Sequence, residues 1–179
     1  MENLLQNKYY IIINPNAGNG ESLKKWDTIK SKLLQLEFNF AFGFTEEPGH
    51  SIDIVHQKIY EGYRKFVCVG GDGTLNELVN AFFSQNIVKT NEITLGIIPM
   101  GTGNDWRRYF NIPDNYMKAL EILTKEKVFK QDIGKISYFK KNKEKANAYF
   151  LNIAGLGFDS VVVKTTNKLK VRGNRDKMT

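Results

Sequence analysis

One stretch, Phe66–Glu77, constrains the fold of this chain more than any other. It opens with an apolar, β-branched run that is typical of a buried strand, and the run stops at two adjacent glycines. The spacing of Thr74 and Glu77 is that of a capping box, which predicts Thr74 as the N-cap of a helix over 75–83. Apolar side chains recur behind it with helical period, at Leu75, Leu78, Val79 and Phe82. The sequence therefore predicts a strand, a tight glycine turn and a helix.

Such a turn suits an anionic group. Glycines let the backbone approach a ligand closely, and the free N–H groups at a helix N-terminus favour negative charge. Asp72 places a carboxylate in the turn, where it can take a metal ion, a ribose hydroxyl or a proton. The alternative is a β-hairpin, because Asp-Gly is a strong type I′ turn signal. The period of 3.6 behind the turn favours the helix.

The composition is that of one soluble globular domain, or of one domain and a fragment. The 179 residues are 41% apolar and 25% charged, and no apolar run reaches the roughly 20 residues of a membrane span. The N-terminus shows no signal peptide. The single cysteine, Cys68, lies inside the predicted strand, as a buried packing residue in a reducing compartment would. We therefore expect a cytoplasmic protein, with or without peripheral contact with a membrane.

The net charge of +7 is concentrated towards the C-terminus. From Lys164 onward six basic residues stand against one acidic residue, whereas the remainder has 20 basic and 18 acidic residues. A basic tail suits anionic lipid headgroups or nucleic acid, or stays solvated. Nothing resembles a recognition helix or an aromatic-lined single-strand groove, so we expect no nucleic-acid partner. Two histidines and one cysteine predict no metal cluster.

Four strand–loop–helix units follow one another along the first two thirds of the chain. The predicted strands are Tyr9–Ile13, Phe38–Phe44, Phe66–Val69 and Thr94–Ile98, and each ends at a loop with glycine or proline. This succession predicts an α/β fold, a parallel sheet with helices on both faces. Ligands of such sheets bind beyond the carboxyl ends of the strands. One glycine loop there is ordinary turn chemistry, but four at one edge predict a phosphate site.

Two smaller predictions concern aromatic residues and helix ends. Asn104 or Asp105 can cap a short helix that holds Trp106. Trp106 meets a membrane interface or an adenine ring, or packs in the core, and packing is favoured. Trp26 is predicted in the core rather than as a stacking platform. His50 could touch a nucleotide, whereas His56 is predicted on a helix surface.

The pattern changes after residue 127. Antiparallel strands are predicted over Val128–Ile136 and Ala148–Ala154, with a lysine-rich turn near Lys140–Lys145. We therefore divide the chain into a nucleotide-binding α/β domain, residues 1–127, and the start of a β-rich domain, residues 128–179.

The ordered set of loop motifs resembles one family. The motifs are Asn14-Pro15-x-x-Gly18-x-Gly20, Thr45-x-x-Pro48-Gly49-His50, Gly70-Gly71-Asp72-Gly73-Thr74 with Asn76-Glu77, Pro99-x-Gly101-Thr102-Gly103-Asn104-Asp105, and Asn152-x-x-Gly155-x-Gly157-Phe158-Asp159. Together they resemble the catalytic domain of diacylglycerol kinases, above all the bacterial soluble lipid kinases and their sphingosine and ceramide kinase relatives. NAD kinases and phosphofructokinases share the Gly-Gly-Asp-Gly turn and a similar N-terminal α/β domain, but not the ordered set.

The resemblance implies ATP-dependent transfer of the γ-phosphoryl group to a lipid hydroxyl at a membrane surface, with Mg²⁺, in phospholipid biosynthesis. The implied catalytic residue is Asp72, which would orient Mg²⁺ or the phosphates or act as a base. The alternative is that Asp72 is a structural carboxylate bonded to its own turn. The resemblance assigns no metal ligand within this chain. The implied nucleotide-binding residues are Asn14, Pro15, Asn16, Ala17, Thr45, Gly71, Asp72, Gly73, Thr74, Leu75, Asn76, Glu77, Gly101, Thr102, Gly103 and Asn104.

The resemblance also implies that most of a second domain is missing from this chain. Family members are about twice the size of one domain and continue into a β-rich domain whose acidic residues bind metal and act as base. We therefore expect a truncated or naturally shortened chain that binds ATP weakly and does not turn over by itself. The alternative functions are an NAD kinase-like ATP-dependent kinase and a non-enzymatic nucleotide-binding module. The particular lipid and the oligomeric state are not predicted.

Overall fold

Four parallel strands form the central sheet of the computed structural model, which describes residues 4–101 and 103–152. The strands are β1 (Tyr9–Ile13), β2 (Phe40–Phe44), β3 (Lys65–Gly70) and β4 (Thr94–Pro99). Their order in the sheet is β2-β1-β3-β4, and all three pairings are parallel. Short 3-10 turns at Leu4–Asn7 and Thr90–Glu92 precede β1 and β4. The predicted parallel sheet is confirmed.

Five helices accompany the sheet in the described part of the chain. They are α1 (Glu21–Gln35), α2 (His50–Glu61), α3 (Asp72–Ser84), α4 (Asp105–Tyr109) and α5 (Tyr116–Leu123). No helix among the described residues is long and apolar enough to cross a membrane.

The sheet separates two hydrophobic cores because successive strand residues point to opposite faces. Ile12 and Cys68 pack with α2 and α3 on one face. Ile11, Ile13 and Val67 pack with α1 and α5 on the other face. Every residue of β1 is therefore buried, which explains why this strand is a continuous apolar run rather than an alternating one. The prediction of helices on both faces is confirmed.

The antiparallel strands exist, but their predicted bounds are wrong. Strand β5 (Gly134–Phe139) pairs with β6 (Lys145–Phe150), so both strands adjoin the lysine-rich turn. Val128 and Phe129 precede β5 and are exposed. Phe129 stacks on Phe110, the C-cap residue of α4, at 4.3 Å between ring centroids. This apolar residue therefore packs against the end of a helix and does not belong to a strand. The domain boundary at residue 127 remains a prediction.

The hairpin formed by β5 and β6 is fastened to α3. The Asn80 side chain donates a hydrogen bond to the Tyr149 carbonyl (2.8 Å) and accepts one from the Tyr149 N–H (2.9 Å). The rings of Phe83 and Tyr149 stack at 4.5 Å. A helix side chain thus supplies backbone partners that a neighbouring strand would otherwise provide.

Candidate functional site

The candidate site lies where the strand order reverses. After β1 the chain passes to β2 on one side of it, and then to β3 on the other side. The loops that leave β1 and β3 therefore diverge above the sheet, which is where open α/β sheets bind ligands. The Asn14 N–H donates to the Val69 carbonyl at 3.1 Å, so the two loops begin in direct contact.

A cleft of about 290 Å³ opens between these loops. This volume is at the lower end of the range for small-molecule sites. Small residues and backbone form most of its wall, with one carboxylate: Asn14, Ala17, Gly18, Gly71, Gly73, Thr74, Glu77 and Gly101. The structure thus brings together seven of the residues predicted to bind nucleotide. Gly18 was part of a quoted motif but was not among the predicted site residues.

The N-terminus of α3 faces this cleft. The helix begins at Asp72 with Gly71 as its N-cap, and no side chain among the described residues caps it. Its first intrahelical bond runs from the Leu75 N–H to the Gly71 carbonyl at 3.0 Å. The N–H groups before Leu75 have no partner inside the helix, and the helix dipole adds partial positive charge there. This end of α3 is suited to an anion.

The predicted capping box is wrong, because both of its side chains have other partners. Thr74 lies inside the first turn of α3, and its Oγ1 accepts a hydrogen bond from Asn14 Nδ2 at 3.0 Å. Glu77 Oε2 accepts one from the hydroxyl of Ser51 at 2.5 Å. Ser51 is fully buried near the start of α2, and no sequence pattern pointed to it. Each bond joins residues that are distant in the sequence.

The bond from Asn14 also fixes the Thr74 hydroxyl. Since Oγ1 acts as an acceptor toward Asn14, its own proton remains available for a different acceptor. Thr74 lines the cleft, so that acceptor can be a ligand oxygen. Asn14 is held in turn, because its Oδ1 accepts from the Asn16 N–H at 3.0 Å.

Asp72 turns away from its own loop. Its carboxylate accepts hydrogen bonds from the backbone N–H groups of Asp105 (2.9 Å) and Trp106 (3.3 Å). These are the first two residues of α4, so Asp72 caps that helix. Asn104 occupies the predicted N-cap position of α4, but its side chain makes no cap hydrogen bond, and Asp72 accepts from the helix N–H groups instead. The interpretation of Asp72 as bonded to its own turn is wrong. Asp72 does not line the cleft.

Asn104 holds the loop before α4 by folding back on it. Its Nδ2 donates to the Gly101 carbonyl (2.6 Å), and its Oδ1 accepts from the Gly101 N–H (3.1 Å). It adopts a left-handed conformation with φ 52° and is 2% exposed. The same Nδ2 also lies 3.4 Å from Asp114 Oδ1, so the Asn104 side chain holds the loop together and links it to the segment before α5.

Gly71 and Gly101 bring the two glycine loops into contact. A Cβ atom on Gly101 would lie 2.6 Å from the Cα of Gly71 and 2.6 Å from Asn104 Oδ1. No side chain fits at this separation, so the cleft wall requires glycine here.

The other predicted site residues lie outside the cleft lining. Pro15, Asn16, Asn76 and Gly103 are at least partly exposed beside it, and Thr45 is buried. Leu75 is fully buried in the core and its N–H is bonded to Gly71, so the structure gives it no free group for a ligand. Thr102 lies outside the described residues, as do Gly155–Asp159 and the basic tail.

The two tryptophans and the two histidines have defined surroundings in the structure. Trp106 and Trp26 are buried, which confirms packing for both. The Nδ1 of His50 accepts from the Glu46 N–H at 3.1 Å, within the loop before α2. His56 faces α3 rather than open surface, since its Nε2 lies 3.0 Å from both the Ala81 carbonyl and the Ser84 hydroxyl.

Metal-binding capacity within the described part of the chain is small. No group of three or more His, Cys, Asp or Glu residues is close enough to hold an ion. Glu77 is the carboxylate on the cleft wall. Such a site cannot cage a metal by itself, but one carboxylate suffices for Mg²⁺ that arrives with phosphates and keeps its waters.

The fold and the cleft define a class: α/β proteins with glycine loops at the switch point of a parallel sheet, a geometry typical of phosphate binding. Residues 8–136 match the family model of the diacylglycerol kinase catalytic domain. The chain belongs to this family.

Named relatives and solved structures agree with the family. Diacylglycerol kinases of Staphylococcus aureus strains bovine RF122 / ET3-1 and MRSA252 are each 34% identical over 161 residues, which cover 89% of this chain and 47% of the relative. The crystal structure of a diacylglycerol kinase from Bacillus anthracis str. Sterne superposes with a TM-score of 0.64 at 28% identity. It covers 82% of this chain and 50% of that chain. The chain therefore spans about half the length of the curated relatives it matches.

Proposed function

We propose that this chain forms the nucleotide-binding part of a lipid kinase that transfers the γ-phosphoryl group of ATP to the hydroxyl of a diacylglycerol-like lipid at a membrane surface. The observation that carries the proposal is the cleft between the loops that leave β1 and β3, which faces the uncapped N-terminus of α3. Membership of the diacylglycerol kinase family supports the lipid acceptor.

Binding of the phosphates needs groups that this cleft supplies. Backbone N–H groups at the start of α3 donate to phosphate oxygens, and glycines allow the oxygens to come close. The Thr74 hydroxyl, held by Asn14, adds a donor in a fixed position. Phosphoryl transfer depends mostly on such positioning and on neutralised charge.

Mg²⁺ fits this arrangement with Glu77 as its protein ligand. The Ser51 hydroxyl fixes one carboxylate oxygen of Glu77, and the side chain lines the cleft. When bound with ATP, the ion would neutralise charge on the phosphate oxygens. Glu77 would orient it by direct or water-mediated contact.

In the transfer, the lipid hydroxyl oxygen forms a bond to the γ-phosphorus as the bond from that phosphorus to the β–γ bridging oxygen breaks. ADP leaves with the bridging electron pair, and the hydroxyl proton passes to a base. The catalytic role of Asp72 stays a prediction. Its two bonds to α4 support a positioning role, in which it holds the Gly101 loop against the turn.

Nucleotide binding by the 179-residue protein tests the proposal. Calorimetric titration with ATP, ADP and AMP in the presence of Mg²⁺ should give affinities that fall in that order, because the cleft recognises phosphates. Equal affinity for AMP and ATP, or no ATP binding at millimolar concentration, would contradict it.

The acceptor is tested with labelled ATP, Mg²⁺ and separate additions of diacylglycerol, sphingosine and NAD to an enzyme that spans the full length of its relatives. Labelled phosphatidic acid supports the proposal. Labelled NADP would instead select the NAD kinase-like alternative, and the absence of any product would select the non-enzymatic binding module.

A further inference from the structure

The tip of the β5–β6 hairpin, residues Tyr138–Lys145, combines aromatic rings with dense positive charge. All eight residues are exposed, with exposed fractions of 45% for Tyr138 and 74% for Phe139. Four of the eight are lysines and one is a glutamate, which gives the tip a net charge of +3. A solvated turn has no need of two adjacent exposed rings, so the tip has the composition of a contact surface.

The rings lie on both faces of the hairpin. Tyr138 pairs with Ala146 and Phe139 pairs with Lys145, so both aromatic residues sit at the turn end of β5. Successive strand residues point to opposite faces, and each face therefore presents one ring. A flat partner laid against one face would cover one ring. A partner that surrounds the tip, such as a lipid layer that the tip enters end-on, would cover both rings.

The positive charge is mostly available to an external partner. Lys140 pairs with Glu144 at 3.2 Å. Among residues 4–101 and 103–152, no ion pair involves Lys141, Lys143 or Lys145. Three unpaired ammonium groups lie beside one amphipathic ring, Tyr138, and one apolar ring, Phe139. This combination complements an anionic lipid bilayer, where lysines meet the surface charge, a tyrosine ring lies at headgroup level and an apolar ring is buried.

The base of the hairpin is bonded to α3, the helix that begins at the cleft wall. Asn80 and Phe83 of α3 hold Tyr149 of β6, and α3 begins at the cleft wall. A surface that binds the tip would therefore hold the cleft in one orientation to that surface.

We propose that the hairpin tip docks this protein on anionic lipid bilayers by entering the headgroup layer end-on. The proposal rests on the proposed function only in that a bilayer carries the acceptor lipid. Binding of the tip itself needs neither ATP nor catalysis, so the two proposals fail separately.

Co-sedimentation with vesicles tests the docking. The 179-residue protein is mixed with vesicles of equal phosphatidylglycerol and phosphatidylcholine, or of phosphatidylcholine alone, without diacylglycerol or nucleotide. We expect binding to the anionic vesicles, weakened by high salt. The variant K141Q/K143Q/K145Q should lower the partition coefficient about 100-fold, since each lysine near an anionic surface contributes about fivefold. Phe139→Ser should lower it about tenfold through lost ring burial.

Matched variants separate the tip from general charge and hydrophobicity. K24Q/K89Q/K118Q removes three exposed lysines elsewhere, and Tyr60→Ser removes a ring that is 82% exposed on α2. Both should bind within about threefold of the unsubstituted protein, and ATP affinity should be unchanged in all four variants.

Three results would overturn the docking proposal. The first is an absence of binding to anionic vesicles by the unsubstituted protein. The second is equal loss in the tip and control variants, or no loss in the tip variants. The third is tip-dependent binding of RNA or duplex DNA that is tighter than vesicle binding at the same salt concentration, which would assign the tip to nucleic acid.

Discussion

The carboxylate of Asp72 accepts a hydrogen bond from the backbone N–H of Asp105 at 2.9 Å, across 33 positions of sequence. This bond links the start of α3 to the start of α4. It fixes the loop that contains Gly101 against the Gly71 turn, and these two adjoining glycines both line the cleft. Asp72, the acidic residue of the glycine turn, therefore helps to set the shape of the cleft.

Asp72→Asn should separate this role from folding. Asparagine keeps one acceptor oxygen but loses the charge and the second acceptor, so the free energy of unfolding should fall by about 1 kcal/mol while the fold persists. In an enzyme of full family length, nearly all phosphoryl transfer should be lost. Denaturant titration and a transfer assay measure the two effects. Asp105→Asn is the control with the same charge change, and near-normal turnover of Asp72→Asn would refute the prediction.

Thr74→Val should weaken ATP binding about tenfold, because it removes a hydroxyl donor directed by Asn14 toward a charged ligand. Thr74→Ser keeps the hydroxyl and should bind within about threefold of the unsubstituted protein. Calorimetry supplies both affinities. Equal losses in the valine and serine variants would show that the methyl group, and not the donor, matters.

Gly101→Ala and Gly73→Ala should have opposite effects on stability. A Cβ on Gly101 meets Gly71 Cα at 2.6 Å and must push the two loops apart, at a cost of about 1–3 kcal/mol in unfolding free energy. A Cβ on Gly73 meets nothing within 4 Å and favours the helix, so Gly73→Ala should stabilise the protein by about 0.5–1 kcal/mol.

Gly73 lines the cleft, so the same Gly73→Ala variant should still bind ATP more weakly. Thermal unfolding and ATP titration of both glycine variants check these expectations together. A stabilised Gly73→Ala protein with undiminished ATP affinity would place the phosphates elsewhere.

Glu77→Gln should reduce the gain in ATP affinity that Mg²⁺ provides by about tenfold, because the cleft loses its carboxylate ligand. ATP affinity without Mg²⁺ should not fall, since a repulsive charge is also removed. The comparison is between titrations with Mg²⁺ and with EDTA. Glu92→Gln, an exposed glutamate in the 3-10 turn before β4, is the matched control. An unchanged Mg²⁺ effect in Glu77→Gln would exclude this role.

Burial of Cys68 makes stability depend on pH in the alkaline range. Removal from water, and then the negative charges of Glu77 and Asp72, raise the pKa of the thiol above its ordinary value of 9.0. The folded state therefore keeps the thiol neutral while the unfolded chain ionises. The stabilisation is complete below pH 9 and is lost as the pH rises above it.

The Cys68→Ala variant isolates this effect. The difference in unfolding free energy between the unsubstituted protein and Cys68→Ala should shrink by about 1.4 kcal/mol per pH unit above pH 9. Denaturant titrations at pH 8, 9 and 10 measure it. A difference that is constant across these pH values would mean that the thiol ionises equally in both states.

Much of the architecture follows from local pattern. The apolar runs at Tyr9–Ile13 and Phe66–Val69 predicted buried strands, and breaker residues predicted the loops at their ends. Parallel strands place all such loops at one edge, so the position of the site followed from the order of the elements. The strands of the hairpin were harder to delimit. Phe129 extended the apolar pattern of the predicted strand, but it stacks on Phe110, and no local period encodes that contact.

The sequence by itself determined that the turn at Gly70–Thr74 joins a buried strand to a helix and suits a phosphate, because glycine conformation and helix polarity are local properties. Only the tertiary structure decided what its side chains do. Thr74 and Glu77 have the spacing of a cap but bond to Asn14 and Ser51, and Asp72 caps α4. A polar group takes the partner that folding brings within about 3 Å, and that partner can lie anywhere in the chain.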